Sequence, residues 1–449
     1  MHHSHIFQKL LIKQSISAAQ ILSALSSFNH LVYLKNNNQP VIAFFASEYL
    51  LIKNKISQNF KRITLCQYQE QTQFTDFNFV SKPLNQNDLH DFKGGLIGFI
   101  SYDHAAQEYV NLQEKLQPSL FLGVYHSYLK LTPEGWTFFS DEEEGEGEGE
   151  AIFERVQKEL NRENKPFFLL NQPCTPSWDK NNYLTAFMQV QEYIQAGDCY
   201  QINLTQEFTA KAEGLLLATA EDFWKLTDAP YSGYLKIDDF ELLSCSPELF
   251  IDFKHDRKII TRPIKGTMPR YSDSTLDEES KQKLIQSEKD QAENLMIVDL
   301  MRNDLSRYAE IGSVNTTQLF EIESFKQVHH MVSEITAILK ESVSPLDVLM
   351  SALPGGSITG APKIRAMQII DELEVEPRGA YCGSLGYFNV DGTGSWNILI
   401  RSIQKYQENV SLWAGGGITI ASDADAEYQE CFDKVSAMLD LLNHYAKKK

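Results

Sequence analysis

The sequence predicts an α+β fold, and three observations carry it. Strand-length stretches follow one another in meanders and pairs, without the regular strand–helix–strand alternation of a doubly wound sheet. Helical periodicity comes in separate, longer blocks between the strand groups. At 449 residues and 43% hydrophobic content, the chain can bury one large core or two ordinary ones.

Taken in order, residues 1–140 form a mixed N-terminal α+β region, with strands expected at LVYLK (31–35), PVIAFFA (40–46) and GGLIGFISYD (94–103). The stretch SDEEEGEGEGEA (140–151) is acidic and glycine-rich, and its repelling charge and backbone freedom predict a loop or linker over 141–178. A third region, 179–449, intertwines with the first. It opens with a helix whose apolar face is Tyr183, Phe187, Val190, Tyr193 and Ile194, and which Gly197 ends. Strands follow at CYQINLTQEFTA (199–210), SGYLKI, FELLSCS, LFIDF and KIITRPI (258–264), then one long helix over about 276–305. A glycine-rich turn leads into a helix at PGGSITGAPKIRAMQIIDELE (354–374). Strands at CGSLGYFNV, SWNILIRSIQKY (395–406) and VSLWAGGGITI (410–420) precede a C-terminal helix from about 423.

The balance of 41 basic against 60 acidic residues, a formal net charge of −19, argues against a nucleic-acid surface or an anionic membrane as the main partner. No stretch reaches the roughly 18 apolar residues of a membrane span, and the N-terminus lacks a secretory layout, so a cytoplasmic protein is expected. The six cysteines include no CxxC pair and read as free thiols.

Several residues sit where ordinary folding does not require them. Glu293 shares a helix face with Met296, Ile297 and Leu300, and a carboxylate on an apolar stripe needs a partner or a cavity. A buried salt bridge and a metal ligand are both open readings. Glu427 and Glu430 share a face of the C-terminal helix, with Lys434 four residues on, a spacing that also suits an ordinary surface pair. Two glutamates on separate helices are nevertheless what a hard divalent ion such as Mg²⁺ takes, with water and substrate completing its shell. The turn containing Ser357 and Thr359 precedes a helix start, and Gly415, Gly416 and Gly417 allow close backbone approach; both suit an anion such as a carboxylate, or are simply turns. Neither matches a nucleotide-binding fingerprint. Glu248 at a strand end is a candidate acid or base, or a solvated glutamate. In an extended QVHHMVS, His329 and His330 face opposite ways, so one at most reaches a given cavity. Arg401 could hold a carboxylate, of substrate or of protein. Lys265, in RPIKGTMPR (262–270), is a flexible amine set at a strand end entering a tight turn.

These segments resemble one family, the chorismate-utilising enzymes. GDCYQINL, SPELF, RPIKGTMPR, AENLMIVDLMRNDL, VHHMVS, PGGSITGAPKIRAM, YCGSLGYF, AGGGI and AEYQECFDKV occur in the family's order over about 179–442, with GGLIGFISYD as a weaker match upstream. The resemblance implies a two-lobed sandwich of large antiparallel β-sheets with helices packed outside and the active site between. Within the family, anthranilate synthase large subunits typically carry alanine in PIAGT, whereas the branch that aminates chorismate at C4, towards p-aminobenzoate and folate, typically carries PIKGT, as here. The resemblance further implies Mg²⁺ on Glu293 and Glu430 with Glu427 beside them. It implies substrate contacts from Gly266, Thr267, Thr359, Tyr381, Arg401, Gly415, Gly416, Gly417 and Lys434, and catalytic roles for Lys265, Glu248 and His330.

An unperturbed lysine amine is protonated, so Lys265 must lose its proton before it can attack substrate. No cysteine here has the surroundings of a glutaminase nucleophile, so the resemblance implies a separate glutamine amidotransferase subunit that supplies ammonia. Anthranilate synthase is the nearest rival, and isochorismate or salicylate synthases place their lysine elsewhere. A catalytically silent subunit that binds chorismate or a glutaminase is the rival from another class. Related synthases often carry a tryptophan-binding motif near the start; the corresponding region here reads NHLVYLKNNNQP, in which that motif is not placed.

Overall fold

In the strand Gly95–Ile100, Ile97 and Phe99 enter one buried cluster while Leu96 and Ile100 enter another. Phe240–Ser246 divides Leu242 and Leu243 between clusters in the same way. This period of two lets a strand bury both faces, and it builds the molecule in layers. The computed structural model describes residues 7–12, 16–73, 79, 91–141, 148–162, 165–325 and 328–447. Antiparallel pairing joins its strands into two large sheets. The first runs, side by side, through Leu31–Leu34, Tyr231–Ile237, Phe240–Ser246, Ser402–Tyr406, Asn409–Thr419 and Gln201–Gly214. The second runs through Val328–Ile338, Lys258–Thr261, Leu249–Phe253, Gly394–Asn397, Ser384–Asn389, Gly95–Ile100 and Pro118–Tyr125.

Val32, Leu235 and Leu242 of the first sheet meet Phe99, Phe121 and Leu385 of the second in the middle layer. Outside, Phe223 and Met438 cover the first sheet, and Ile297 and Met301 of Glu288–Ser306 cover the second. A further apolar cluster packs Lys180–Gln195, Lys363–Leu373 and Ala424–Asp433 on Ile202, Leu204 and Ile418. The result is the sandwich that the resemblance implied: helices, sheet, sheet, helices. Strands from before and after the acidic segment pair directly, Tyr33 opposite Tyr234 and Ile97 opposite Tyr387.

Four local expectations change. Residues 142–147 of the acidic stretch lie outside the described residues, but from Glu148 the chain is the helix Glu148–Leu160, not a linker. Ile152, Phe153 and Val156 give that helix an apolar stripe buried against the first sheet. The helix expected over 276–305 is two, Ser274–Ile285 and Glu288–Ser306, because Ser287 turns extended and its hydroxyl caps the second by accepting from Asp290 N. Gly415–Gly417 are not a turn but lie inside the strand Asn409–Thr419. The stretch 395–406 is not one strand: Gly394–Asn397 belongs to the second sheet and Ser402–Tyr406 to the first.

That last break is one of two neighbouring crossovers between the sheets; the chain makes others, as from Val41–Ala43 to Glu48–Lys53. The chain also passes from Phe240–Ser246 in the first sheet to Leu249–Phe253 in the second. The crossovers lie side by side, tied by Ile398 N donating to Glu248 O at 3.2 Å and Cys245 N to Arg401 O at 3.0 Å. Arg401 takes φ +50° there, a left-handed conformation unusual for a side chain of its size.

Beside the crossovers, Arg378 is 1% exposed and fully engaged. It forks onto Glu374 at 2.7 and 2.8 Å and donates to Ile358 O at 2.9 Å and Asn203 O at 2.7 Å. Glu374 in turn accepts from Thr205 N and Oγ1. Arg378→Met would leave the buried Glu374 carboxylate without its counter-charge and take a donor from Asn203 O, and should cost about 3–5 kcal/mol in denaturant unfolding. Adding Glu374→Leu should recover part of that loss; a double variant no more stable than the single would show that the charge is not the source.

Candidate active site

Lys265 does not sit at a strand end entering a turn. In Ile264–Pro269, Ile264 pairs with Val332 and Thr267 with His330, so Lys265 and Gly266 together oppose the single residue Met331. This is a β-bulge, a device that re-aims a side chain out of the ladder. Gly266 takes φ +83°, and a Cβ there would come within 2.8 Å of Leu284 and 2.9 Å of Asp290, so glycine is required by conformation and by space. The bulge turns the half-buried Lys265 among Glu293, Glu248, Glu430 and Lys434, its electrostatic neighbours. Burial pushes its amine below the ordinary lysine value; the three glutamates pull the other way, and Lys434 adds to the fall. Among the described residues, no hydrogen bond or ion pair holds the amine.

Glu248 and Arg401 occupy the two crossovers. Glu248 is buried, its Oε1 accepts from Ser357 Oγ at 3.1 Å, and burial raises its carboxyl to about 7 against the opposing pull of Lys265, Ser357 and Arg401. Arg401 forms no hydrogen bond from its guanidinium among the described residues, and burial disfavours its charge. His330 is 4% exposed; its Nδ1 shares a hydrogen bond of 2.8 Å with Thr267 Oγ1. Burial, reinforced by Arg401, lowers His330 to about 4, so the ring is neutral. His329 points away, to Ser324 at 2.7 Å and Asp277 at 3.1 Å, as strand alternation requires.

Opposite the bulge, the first sheet presents Gly416. A Cβ on it would lie 2.9 Å from Glu427 Oε2 and 3.1 Å from Glu430 Oε1, so the missing side chain is the space into which both carboxylates lean. Glu427 is 3% exposed; Oε1 accepts from Ser422 Oγ at 2.6 Å and Oε2 has no partner. Burial raises the carboxyls of Glu427 and Glu293. Two lysines attend this acidic group. Lys434 Nζ donates to Glu430 Oε1 at 2.6 Å and to Gly415 O at 2.9 Å, and Lys289 lies 3.9 Å from Glu293. Among the described residues, no three acidic, histidine or cysteine side chains close into a ligand set, but the buried, unpaired Glu427 oxygen near Glu430 is the kind of oxygen donor a hard divalent ion takes.

Tyr381 is not tied to this group by any described contact: its ring stacks on Trp413 at 5.8 Å and lies 5.9 Å from the Arg378 guanidinium. Thr359 spends its hydroxyl inside its own turn, on Gly355 O at 3.0 Å. A Cβ on Gly415 would come within 2.1 Å of Leu204 O, and one on Gly417 within 2.2 Å of Gln201 Nε2, so Gly415 cannot carry a side chain and one at Gly417 would have to displace the Gln201 amide. Sequence reasoning passed over Ser357 as the partner of Glu248, and over Gln201, 1% exposed with its Oε1 unpaired. Polar residues inside buried strands were the available signal.

The chorismate binding enzyme pattern matches residues 30–440. The chain is 41% identical over 367 residues to aminodeoxychorismate synthase component 1 of Salmonella typhimurium, covering 79% of this chain and 78% of that one. It is 47% identical over 275 residues to the protein of the same name from Klebsiella aerogenes, covering 61% of each. Among solved structures, anthranilate synthase component I from Streptococcus pneumoniae aligns with a TM-score of 0.75 at 27% identity, covering 89% of this chain and 91% of that one.

The raised Glu248 carboxyl has a measurable sign. From its ordinary value of 4.5 up to about 7, the folded protein holds a proton that the unfolded chain has released. Stability is therefore lost as pH rises through that window. Glu248→Gln cannot ionise and should gain on wild type by on the order of 2 kcal/mol between pH 5 and pH 8, read from denaturation midpoints. An unchanged difference between the two pH values would exclude a raised carboxyl at this position.

Proposed function

The chain belongs to the chorismate binding enzyme family, and from that premise we propose that it is an aminodeoxychorismate synthase component 1, aminating chorismate at C4 to 4-amino-4-deoxychorismate on the way to p-aminobenzoate and folate. One observation carries the reading. Where the anthranilate branch typically has alanine, this chain has Lys265, turned by a bulge into the interior, its amine depressed by burial and beside Glu248. The 41% and 47% identities to relatives bearing that name support it.

In this reading the neutral Lys265 amine attacks C2 of chorismate, and the displaced electron pairs move round the ring to expel the 4-hydroxyl, which leaves as water on taking a proton. Glu248, protonated up to about pH 7, stands as the acid, and neutral His330 lies beside the departing oxygen. Ammonia then adds at C4, the electron pairs return, and the bond from C2 to lysine breaks, restoring the amine. The desolvated Arg401 takes a substrate carboxylate, with Lys434, Tyr381, Gly266, Thr267, Thr359 and the Gly415–Gly417 strand around the remaining polar groups.

Glu293 and Glu430, with Glu427 beside them, are the residues that would hold Mg²⁺, which when bound offsets the charge of the ring carboxylate. The unpaired Glu427 oxygen and the open space at Gly416 favour that assignment. The name component 1 implies a second component, assigned here as a glutamine amidotransferase subunit that supplies ammonia in the cytoplasm. No helix among the described residues is long and apolar enough to cross a membrane.

Incubating the purified chain with chorismate, Mg²⁺ and ammonium and resolving the products by chromatography should give non-fluorescent 4-amino-4-deoxychorismate. Fluorescent anthranilate, or no aminated product, would overturn the reading. Lys265→Ala should lose at least about a hundredfold in ammonia-dependent rate, about 2.7 kcal/mol of barrier, and intact-protein mass spectrometry should trap a lysine adduct on the wild type alone. Amination at the wild-type rate would remove Lys265 as nucleophile.

A further inference from the structure

The buried face of the helix Glu288–Ser306 is Asn294, Ile297, Val298, Met301, Asp304 and Leu305. Ile297, Val298 and Met301 pack with Ile335 of the second sheet. Apolar contacts have no direction, so by themselves they leave a helix free to slide or turn on a sheet. The two polar members of the face do have direction. Asp304, near the helix end, accepts from Lys363 Nζ at 3.1 Å. Asn294, next to Glu293 in the chain and 0% exposed, accepts at Oδ1 from Ser333 Oγ at 2.5 Å, and its Nδ2 has no hydrogen-bond partner among the described residues. Ser333 is therefore what holds the amide.

Ser333 stands where both neighbouring ladders fail. On one side Pro263 accepts from Ser333 N at 3.2 Å and has no N–H to return. On the other, the register jumps from Gln318 opposite Glu334 to Glu321 opposite Val332; Phe320, at φ +57°, donates its N–H to Ser333 Oγ at 3.1 Å instead. With a donor in Phe320 and an acceptor in Asn294, the hydroxyl has a fixed direction. One helical turn before Asn294, Asp290 packs on the bulge: a Cβ on Gly266 would come within 2.9 Å of its carboxyl carbon. Glu293 lies between these two docked residues, with Lys265 as its electrostatic neighbour.

We infer that Asn294 is a positioning residue for Glu293: its bond to Ser333 fixes the register of the helix on the strand Val328–Ile338, and with it the place of the Glu293 carboxylate relative to Lys265 and Glu430. A buried amide in an apolar face costs stability that a leucine would not, and it serves where one directional contact must select among near-equal packings. Asn294 acts through the backbone it shares with Glu293 and touches neither substrate nor metal. Its consequence for the metal rests on the reading of Glu293 given above.

The test uses the full chain with Asn294→Leu, Ser333→Ala and Ser333→Thr, and Glu293→Gln as reference. Mn²⁺ is the probe, its free fraction counted by electron paramagnetic resonance without chorismate, so no turnover is needed. Asn294→Leu and Ser333→Ala should each weaken Mn²⁺ binding about tenfold, as loss of a support behind a metal ligand does. The double variant should bind no more weakly than the worse single, since both remove one bond. Ser333→Thr keeps the hydroxyl and should bind as wild type does. Wild-type binding by Asn294→Leu and Ser333→Ala, with or without a lower denaturation midpoint, would leave Asn294 a merely structural residue and overturn the inference; should Asn294→Leu not fold, Ser333→Ala alone decides. If Glu293→Gln binds Mn²⁺ as tightly as wild type, the metal reading fails instead. Metal-free crystal structures of wild type and Ser333→Ala then settle the register: the Glu293 carboxylate should move relative to Lys265 by more than about 0.5 Å, the tolerance within which a site must be held, and a smaller shift overturns the inference.

Discussion

The molecule depends on one constraint: two neighbouring strand passages must leave one sheet and join the other at the same place. At residues 246–249 and 397–402 the chain crosses between layers, and backbone hydrogen bonds between Ile398 and Glu248, and between Cys245 and Arg401, keep the crossings in register. A crossing interrupts both ladders, so it leaves polar groups in the interior that no strand partner satisfies. Glu248 and Arg401 stand there, one with its carboxyl raised by burial and the other with a guanidinium that forms no hydrogen bond among the described residues. The sandwich above and below, packed through Val32, Leu242, Phe99 and Phe121, holds water back from that gap.

Around the gap, Lys265, Glu248, Glu293 and Glu427 lie where their charged forms are disfavoured by burial, and the neighbours oppose or reinforce that effect. Lys265 faces three glutamates that favour its protonation and one lysine that opposes it, and desolvation outweighs them. Glu293 and Glu427 are raised by the same burial. Such a set is stable only if its partners are few and fixed, which is why the supports are rigid: a bulge for Lys265, a sheet strand for Gly416, a capped helix for Glu293. Ser287 matters here beyond its cap. By ending Ser274–Ile285 and starting Glu288–Ser306 afresh, it sets the second helix independently of the first, and with it the Glu293 carboxylate.

Local chemistry was legible in the sequence because it depends on residue type and spacing. GGLIGFISYD and FELLSCS read as strands, though not as strands buried on both faces, and the glutamate on an apolar helix stripe marked Glu293 as needing a partner. The ordered motifs, with lysine in PIKGT, pointed to the family and to amination. Breaks were less visible. Ile398–Arg401 reads as continuous apolar alternation, yet it is where the chain changes sheets, since nothing local reports which neighbour a strand will meet. The helix stripe Ile152–Phe153–Val156 was hidden behind the acid-rich stretch before it.

What the sequence by itself determined is the set of chemical groups: an amine, carboxylates, a guanidinium and side-chain-free backbone, with the periodicities that make strands and helices carry them. Tertiary structure alone decided their states. Whether Glu248 is an acid near neutrality, whether the Lys265 amine is depressed, and whether Glu427 and Glu430 lean on one empty position at Gly416 all depend on residues distant in the chain. A pKa or a donor set is a property of the space around a group, and only the pairing of the two sheets creates that space.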